Sequence, residues 1–454
     1  MFFLRVKSDW KALFVSESGH FDAIDGLRSL SCIMITALHV IILINPMLPP
    51  YPDQRWIEYT KSIWFSSLAI LGFSLETFFL LSGFLLTRKL IADTKKYSTF
   101  SSFISDYVSN SIRRAFRFWP GIGLCCLIMC VLGDLHHRSL SSWFFFQNLQ
   151  TPDEWAFGVY QLWSVSLDMQ IHLFLPILYY FSYLSRTYLS ISTSFSILIV
   201  MSILFTFFTF DPLTMNIVKA TTEYSTLSMV LSKDIVQWIR SHYNIQYPRL
   251  TVDPNPMQVY MKYLYFPFWA RFGTFLFGSV VSIQLNQIQF KPSPSLSMLI
   301  KTAFFVFFTI MVIFLTLPIV ETANLGGILL IFSVCSARPL FACCLSFILY
   351  TTLCPSTETL HCRLLKKFLS LSMWRPIAKL SYFVYVLHFR LGLELILNWN
   401  LFPLDTYAIG YSVFFNFSII FLICLIIGCL FYLFVECPFQ RLVDQVMFLK
   451  SHQN

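Results

Sequence analysis

The fold is decided by the segment Ile24-Asp25-Gly26-Leu27-Arg28-Ser29-Leu30-Ser31-Cys32-Ile33-Met34-Ile35-Thr36-Ala37-Leu38-His39. Arg28 stands where a polar start gives way to an apolar run, and His39 lies well inside that run. In an α-helix, His39 would return to within roughly 20° of Arg28, about 16 Å further along the axis. This position is near the middle of an apolar slab about 30 Å thick. An imidazole at that depth indicates a functional site, and a packing contact with a neighbouring helix is the alternative.

The composition indicates a polytopic membrane protein. The chain has 454 residues, of which 56% are hydrophobic, 18% aromatic and only 12% charged, with a mean hydropathy of +0.66. A soluble domain usually carries about 25% charged residues. The net charge of +9 does not indicate nucleic-acid binding, because the basic residues cluster in particular short loops. The predicted fold class is all-α, a polytopic helix bundle in the lipid bilayer with about ten transmembrane helices.

The predicted spans follow from apolar segments of about 20 residues. They run approximately 28–48, 66–87, 115–133, 165–184, 188–210, 264–284, 297–317, 326–349, 378–398 and 409–433. The loops after the second span and before the ninth are basic, so the positive-inside rule places both termini in the cytoplasm. The first twenty residues lack the pattern of a cleavable signal peptide. We therefore predict a cytoplasmic segment 1–21, a transmembrane domain 22–442 and a cytoplasmic tail 443–454.

Spans two and four carry polar residues at depths where lipid is expected. Glu76 lies in span two and is followed by Ser82-Gly83, a small pair that lets another helix or a ligand approach closely. Asp168 and His172 lie four residues apart on one face of span four. An Asp that orients a His is a recurring acid–base arrangement, and a structural pair inside the bundle is the alternative.

Basic residues cluster at the start of span three. Arg113, Arg114 and Arg117 can be positive-inside charges, or they can form an anion clamp, since guanidinium groups bind phosphate oxygens in pairs. Further ionisable residues lie in or beside later spans: Arg271, Arg338, His388 and Glu436. Because such groups need partners or water, we expect a solvated cavity inside the bundle. The spacing of Cys and His residues predicts no metal site.

Six stretches carry a resemblance to a known family, in the following order: Asp25 to Arg28 with His39, Thr77 to Phe84, Arg113 to Pro120, Leu162 to Gln170, Leu380 to His388, and Glu436 with Pro438. Together they resemble the acyltransferase-3 family of integral-membrane O-acyltransferases, and most closely its animal nose-resistant-to-fluoxetine-like branch. The resemblance extends over about residues 22–442. Glu76 departs from the pattern, because Asp is expected there. We also expect no room before the first span for the cysteine-containing lumenal domain that this branch often carries.

The resemblance implies transfer of an acyl group, commonly from acyl-CoA, to a hydroxyl of a carbohydrate, a lipid or another acceptor. Acyl-CoA would be a cosubstrate, and no permanently bound cofactor is expected. Our hypothesis makes His39 the general base. Asp168 and Glu76 would orient His39 or stabilise its cation, and direct transfer and a transient acyl-His39 relay both stay open. Donor binding is assigned to a larger set: Arg28, Arg113, Arg114, Arg117, Ser82 and His388.

Two other classes of protein stay open at this point. A proton-coupled transporter would also carry ionisable residues inside a bundle, although the sequence shows no internal repeat. A catalytically silent membrane scaffold or lipid-binding regulator would bind a donor without turnover. By analogy with the family, the endoplasmic reticulum or the plasma membrane is the expected location, and the sequence does not predict an oligomeric state.

Overall fold

The computed structural model describes residues 2–15, 21–44, 68–94, 97, 99–131, 140–150, 160–184, 266–286, 327–354, 360–397 and 409–451. Every regular element within these ranges is helical, which confirms the all-α class for this part of the chain. The α-helices are α1 (Phe2–Phe14), α2 (Asp22–Ile44), α3 (Ser74–Thr94), α4 (Phe100–Val131), α5 (Leu140–Trp143), α6 (Trp163–Leu184), α7 (Phe268–Asn286), α8 (Gly327–Leu353), α9 (Leu360–Leu369), α10 (Trp374–Leu397), α11 (Ile409–Phe431) and α12 (Cys437–Ser451). Short 3-10 turns cover Leu68–Phe73, Gln147–Leu149 and Tyr160–Leu162, and a π-helical turn, Tyr432–Glu436, joins α11 to α12.

Three segments of the described part are long and apolar enough to cross a membrane: Asp22–Ile41, Phe100–Val131 and Gly410–Val446. The predicted spans 188–210 and 297–317 lie outside the described residues, so the total of ten spans stays a prediction. The third predicted span, 115–133, corresponds to the apolar second half of α4, which itself starts at Phe100. The 32 residues of α4 extend about 48 Å, which exceeds an apolar slab of about 30 Å. The polar first half and the apolar second half of α4 therefore form one continuous helix, of which hydropathy detects only the second half.

Helix α2 occupies the centre of the described bundle, in contact with α3, α10 and α11. Its first turns rest on the end of α9, where a Cβ added at Gly26 would overlap the backbone of Leu369. The Ser29 hydroxyl donates a hydrogen bond of 2.6 Å to the carbonyl oxygen of Trp374, at the start of α10. As the sequence predicts, one continuous helix carries both Arg28 and His39.

Helices α3 and α7 approach each other so closely that each presents a glycine to the backbone of the other. A Cβ on Gly83 would overlap the backbone of Phe275, and a Cβ on Gly278 would overlap the carbonyl oxygen of Leu80. The prediction that Ser82-Gly83 permits close approach is confirmed for the glycine. The contact brings the polar residues of α3 against those of α7.

The two terminal helices lie on the same face of the bundle. Arg441 of α12 donates two hydrogen bonds to the carboxylate of Asp9 in α1, with distances of 3.1 and 2.8 Å. Lys379, near the start of α10, donates to the backbone oxygen of Ala12 at 2.6 Å. The N-terminal helix is therefore held against the cytoplasmic side that the charge pattern predicts for α10.

The glycine contact between α3 and α7 predicts a position-specific loss of stability. We expect Gly278→Ala to destabilise the protein by about 1–3 kcal/mol, because the added methyl group must push two helix backbones apart. The measurement is thermal unfolding in detergent micelles. The matched control is Gly410→Ala, since a Cβ at Gly410 meets no atom within 4 Å. Equal melting temperatures for the two variants would contradict the close contact.

Candidate active site

An arginine–aspartate pair lies where α3, α4 and α6 meet. Asp168 accepts hydrogen bonds from the Arg114 guanidinium and from the Ser82 hydroxyl, the latter with a distance of 2.5 Å. Arg114 also donates to Ser82 at 3.1 Å, and its guanidinium stacks over the ring of Phe118. The Arg114 and Asp168 side chains are only 23% and 14% exposed. This triangle holds three helices together through charge-assisted hydrogen bonds.

Arg28 of α2 is within electrostatic range of Arg114 and Asp168, but it forms no hydrogen bond with either. The charged residues that act on Arg28 include two further arginines, Arg117 and Arg114, and the carboxylates of Asp25 and Asp168. Among the described residues, no side chain accepts a hydrogen bond from Arg28 or Arg117. Arg28 is partly exposed and Arg117 is exposed. The two guanidinium groups therefore form an electropositive position with free donors, which is the arrangement that binds an anion.

Arg113 belongs to a different environment from its two neighbours in the sequence. Its Nε lies 4.0 Å from a carboxylate oxygen of Asp444 in α12, and both side chains are largely exposed. The predicted clamp of three arginines is thus divided: Arg114 pairs with Asp168, Arg117 acts electrostatically on Arg28, and Arg113 lies near Asp444 of α12. The structure does not bring all three together.

Two histidines from distant parts of the sequence meet between α2 and α10. Nδ1 of His39 lies 2.6 Å from Nε2 of His388, and the rings are stacked with centroids 4.8 Å apart. His388 is buried, and its Nδ1 lies 3.0 Å from the carbonyl oxygen of Val384. His39 is partly exposed and contacts the edge of the Phe389 ring. The imidazole on the central helix is therefore fixed by a second imidazole.

Tyr385 connects this histidine pair to the start of α6. Its hydroxyl donates to the carbonyl oxygen of Gln161 at 2.8 Å and shares a hydrogen bond of 2.6 Å with the Ser164 hydroxyl. The centroid of the Tyr385 ring is 5.7 Å from that of His388. Two of the motifs found in the sequence, around Trp163 and around Tyr385, thus meet in one buried network.

Glu76 lies in a separate ionic cluster between α3, α7 and α8. It forms a salt bridge with Arg271, lies 3.8 Å from Nε of Arg338 and accepts a hydrogen bond of 2.8 Å from Thr274. Glu76 and Arg271 are almost fully buried, and the Arg271 guanidinium stacks over the Trp163 ring. The Glu-for-Asp departure therefore occurs at a carboxylate that binds arginines.

The structure corrects the predicted support of His39. Asp168 and Glu76 were expected to orient this imidazole, but each carboxylate is engaged by arginine in a different part of the bundle. The carboxylates pair with guanidinium groups and not with His39, because a full positive charge binds a buried carboxylate more strongly than a neutral ring does. The partner of His39 is instead His388, which the sequence assigned to donor binding.

The predicted pairing of Asp168 with His172 is also not observed. The buried Nδ1 of His172 has no hydrogen-bond partner among the described residues. His172 lines a small cavity of about 20 Å³ that also contacts Lys89, Asn110 and Tyr107. A cavity of this size holds about one water molecule, which can satisfy the imidazole.

Sequence reasoning missed one buried charge pair. Arg390 and Glu394 lie four residues apart on α10 and form a salt bridge of 3.0 Å, and Arg390 is only 1% exposed. The signal was present as an Arg and a Glu at helical spacing inside an apolar segment.

Among the described residues, no group of three or more His, Cys, Asp or Glu side chains could hold a metal ion.

The ionisable residues gathered inside an apolar helix bundle define an integral membrane protein with a polar interior. A family model described as an acyltransferase domain matches residues 21–435, which is most of the chain. The protein belongs to the acyltransferase-3 family. Searches of curated proteins and of solved structures find no significant match. The family supports an acyltransferase activity.

The triangle of Arg114, Asp168 and Ser82 predicts strong energetic coupling. In a double-mutant cycle of Arg114→Ala and Asp168→Ala, we expect a coupling energy of about 1–3 kcal/mol, because each single variant leaves the other charge without its partner. The measurement is thermal unfolding in micelles. The control is the exposed pair Arg113 and Asp444, where the coupling should be about 0.5 kcal/mol or less. Similar coupling in both cycles would contradict the special role of the inner pair.

Proposed function

We propose that this protein is an integral-membrane O-acyltransferase that moves an acyl group from a CoA-type donor to a hydroxyl of a carbohydrate, a lipid or another acceptor. The observation that carries the proposal is that α2 bears two functional side chains, an arginine near its start and a histidine further along. Arg28 offers guanidinium donors that no described side chain accepts, within electrostatic range of Arg117, and His39 offers an imidazole 11 residues further along the same helix. That spacing corresponds to about 16 Å along the helix axis. The phosphates and the thioester of CoA are separated by a long pantetheine arm, which suits a site with two such ends.

The chemistry assigned to His39 is general-base catalysis. The imidazole takes the proton of the acceptor hydroxyl as the hydroxyl oxygen attacks the thioester carbonyl carbon. The tetrahedral intermediate collapses with cleavage of the carbon–sulfur bond, and the proton passes from the imidazolium to the leaving thiolate. The products are the ester and free CoA thiol. A neutral imidazole in a site of restricted water access is suited to both proton transfers.

Arg28 and Arg117 are assigned to the phosphate end of the donor. Their like charges repel each other, so a bound anion relieves an unfavourable interaction and adds charge-assisted hydrogen bonds. Arg114 is a positioning residue in this scheme, because its guanidinium is already bound by Asp168 and Ser82. Arg113 is left out of the donor site.

The proposed topology puts the donor end on the cytoplasmic side. The pairing of α1 with α12 through Asp9 and Arg441 supports two termini on one side, and the basic loops support the cytoplasm as that side. The proposal includes the endoplasmic reticulum or the plasma membrane as the location. It also keeps the resemblance to the nose-resistant-to-fluoxetine-like branch, which rests on the sequence motifs.

The base assignment predicts the behaviour of a His39 variant. We expect His39→Gln to lower turnover of acyl-CoA by about 10²–10⁴-fold, because glutamine cannot accept and return a proton. The measurement is release of CoA thiol by purified protein in nanodiscs supplied with acetyl-CoA and a mixture of hydroxyl acceptors. The control is His172→Gln, which removes another buried imidazole outside the proposed machinery. Full activity of the His39 variant would remove the base from the mechanism.

The donor assignment predicts different roles for two arginines. We expect Arg28→Gln to weaken binding of CoA by about 10-fold or more, because a charged hydrogen bond contributes about 1.5–3 kcal/mol. Arg113→Gln should leave the dissociation constant within about twofold, since its side chain lies beside Asp444. Equilibrium binding of radiolabelled CoA at several salt concentrations tests both variants.

The two alternative classes appear as outcomes of the same experiments. Movement of a solute across the membrane of proteoliposomes without release of CoA thiol would indicate a transporter. Binding of CoA by the wild-type protein without turnover would indicate a scaffold or regulator.

A further inference from the structure

The hydrogen-bond distances around the histidine pair are sufficient to assign which ring nitrogens carry a hydrogen. Nδ1 of His388 lies 3.0 Å from the carbonyl oxygen of Val384, one turn earlier on α10. A carbonyl oxygen can only accept a hydrogen bond, so Nδ1 of His388 must carry a hydrogen. In a neutral imidazole the other nitrogen then has a lone pair and no hydrogen. The Nε2 atom of His388 is therefore an acceptor.

This acceptor determines the state of His39. Nε2 of His388 and Nδ1 of His39 are 2.6 Å apart, a distance that requires one hydrogen between them. Because Nε2 of His388 has no hydrogen to offer, Nδ1 of His39 donates. The lone pair of a neutral His39 is consequently on its Nε2 atom.

The surroundings favour the neutral pair over a cationic one. Among the described residues, the charge-bearing group that acts on His39 is His388 alone, and no carboxylate contacts either ring. Burial of an unpaired cation beside His388, which is 1% exposed, would be costly. The apolar contacts at this point come from residues such as Phe389.

The two histidines of the pair also differ in exposure. His388 is buried, held by Val384 and packed beside the anchored Tyr385 ring, whereas His39 is partly exposed. The less buried residue of the pair is therefore the one that carries the free lone pair. When His39 takes a proton, its Nδ1 hydrogen strengthens the bond to His388, so the buried ring stabilises the imidazolium without a carboxylate.

We propose that His388 is a positioning residue that holds His39 in the Nδ1–H tautomer and thereby makes Nε2 the basic atom. Val384, His388 and His39 form a chain of hydrogen bonds that performs the task usually given to an Asp beside a catalytic His. The role of Nε2 in proton transfer rests on the proposed function; the tautomer itself does not. This assignment replaces the prediction that His388 binds the donor.

The tautomer is tested directly by ¹⁵N NMR of the full chain in nanodiscs, with ring-labelled histidine and no substrate. Signals of His39 and His388 are assigned by their loss in His39→Gln and His388→Gln. We expect a protonated Nδ1 and an unprotonated Nε2 for wild-type His39, and a shift toward the Nε2–H form in His388→Leu, which has no acceptor. A wild-type His39 in the Nε2–H form, or an unchanged His39 in His388→Leu, would overturn the proposal.

Kinetics provide a second test that separates positioning from structural damage. The amide oxygen of Gln can accept the Nδ1 hydrogen of His39, whereas Leu only fills space. We expect His388→Gln to keep kcat within about tenfold of wild type, and His388→Leu to lose about 10²–10⁴-fold with little change in KM. Equal losses in the two variants, at equal melting temperatures, would overturn the positioning role. If NMR shows the Nδ1–H form while His39→Gln keeps full turnover, the tautomer assignment stands and the proposed base fails.

Discussion

The need to neutralise buried charge governs the arrangement of this bundle. An ionised side chain among apolar helices is tolerated only when it is paired or reached by water. Glu76 meets Arg271 and Arg338, Asp168 meets Arg114, and Glu394 meets Arg390. Each pair except the last joins different helices, so charge neutralisation fixes the relative position of helices that hydrophobic packing alone would let slide. Arg28 is one exception, because its guanidinium has no hydrogen-bond acceptor among the described residues.

In the proposed function, that exception is where the donor binds. A cation that the protein does not neutralise is available to a ligand, and the neighbouring arginine makes the position more favourable for an anion. The pair of Arg114 and Asp168, with Ser82, supports this by joining α3, α4 and α6, and α3 in turn contacts α2. The glycines at 83 and 278 contribute by letting α3 and α7 approach closely, which brings Glu76 within reach of Arg271. Packing and electrostatics therefore depend on each other in this region.

Much of the fold could be predicted because it depends on local properties of the chain. Apolar segments of helical length gave the all-α class, and helical periodicity put Arg28 and His39 on one helix. The close approach at Gly83 followed from residue size. The start of α4 at Phe100 was not predicted, because hydropathy detects the apolar half of a helix and not its polar extension. The predicted spans outside the described residues stay predictions.

The sequence by itself determined which residues are costly to bury: one imidazole and one guanidinium on α2, carboxylates on α3 and α6, and arginines on several other helices. Side-chain chemistry and helical spacing are enough for that. Only the tertiary structure decided their partners. His39 and His388 are 349 residues apart in the chain, and Asp168 lies 54 residues from Arg114. Such pairings depend on how helices pack, and Glu76 alone has two arginines within reach among the described residues, so the geometry of the bundle selects the pairs that form.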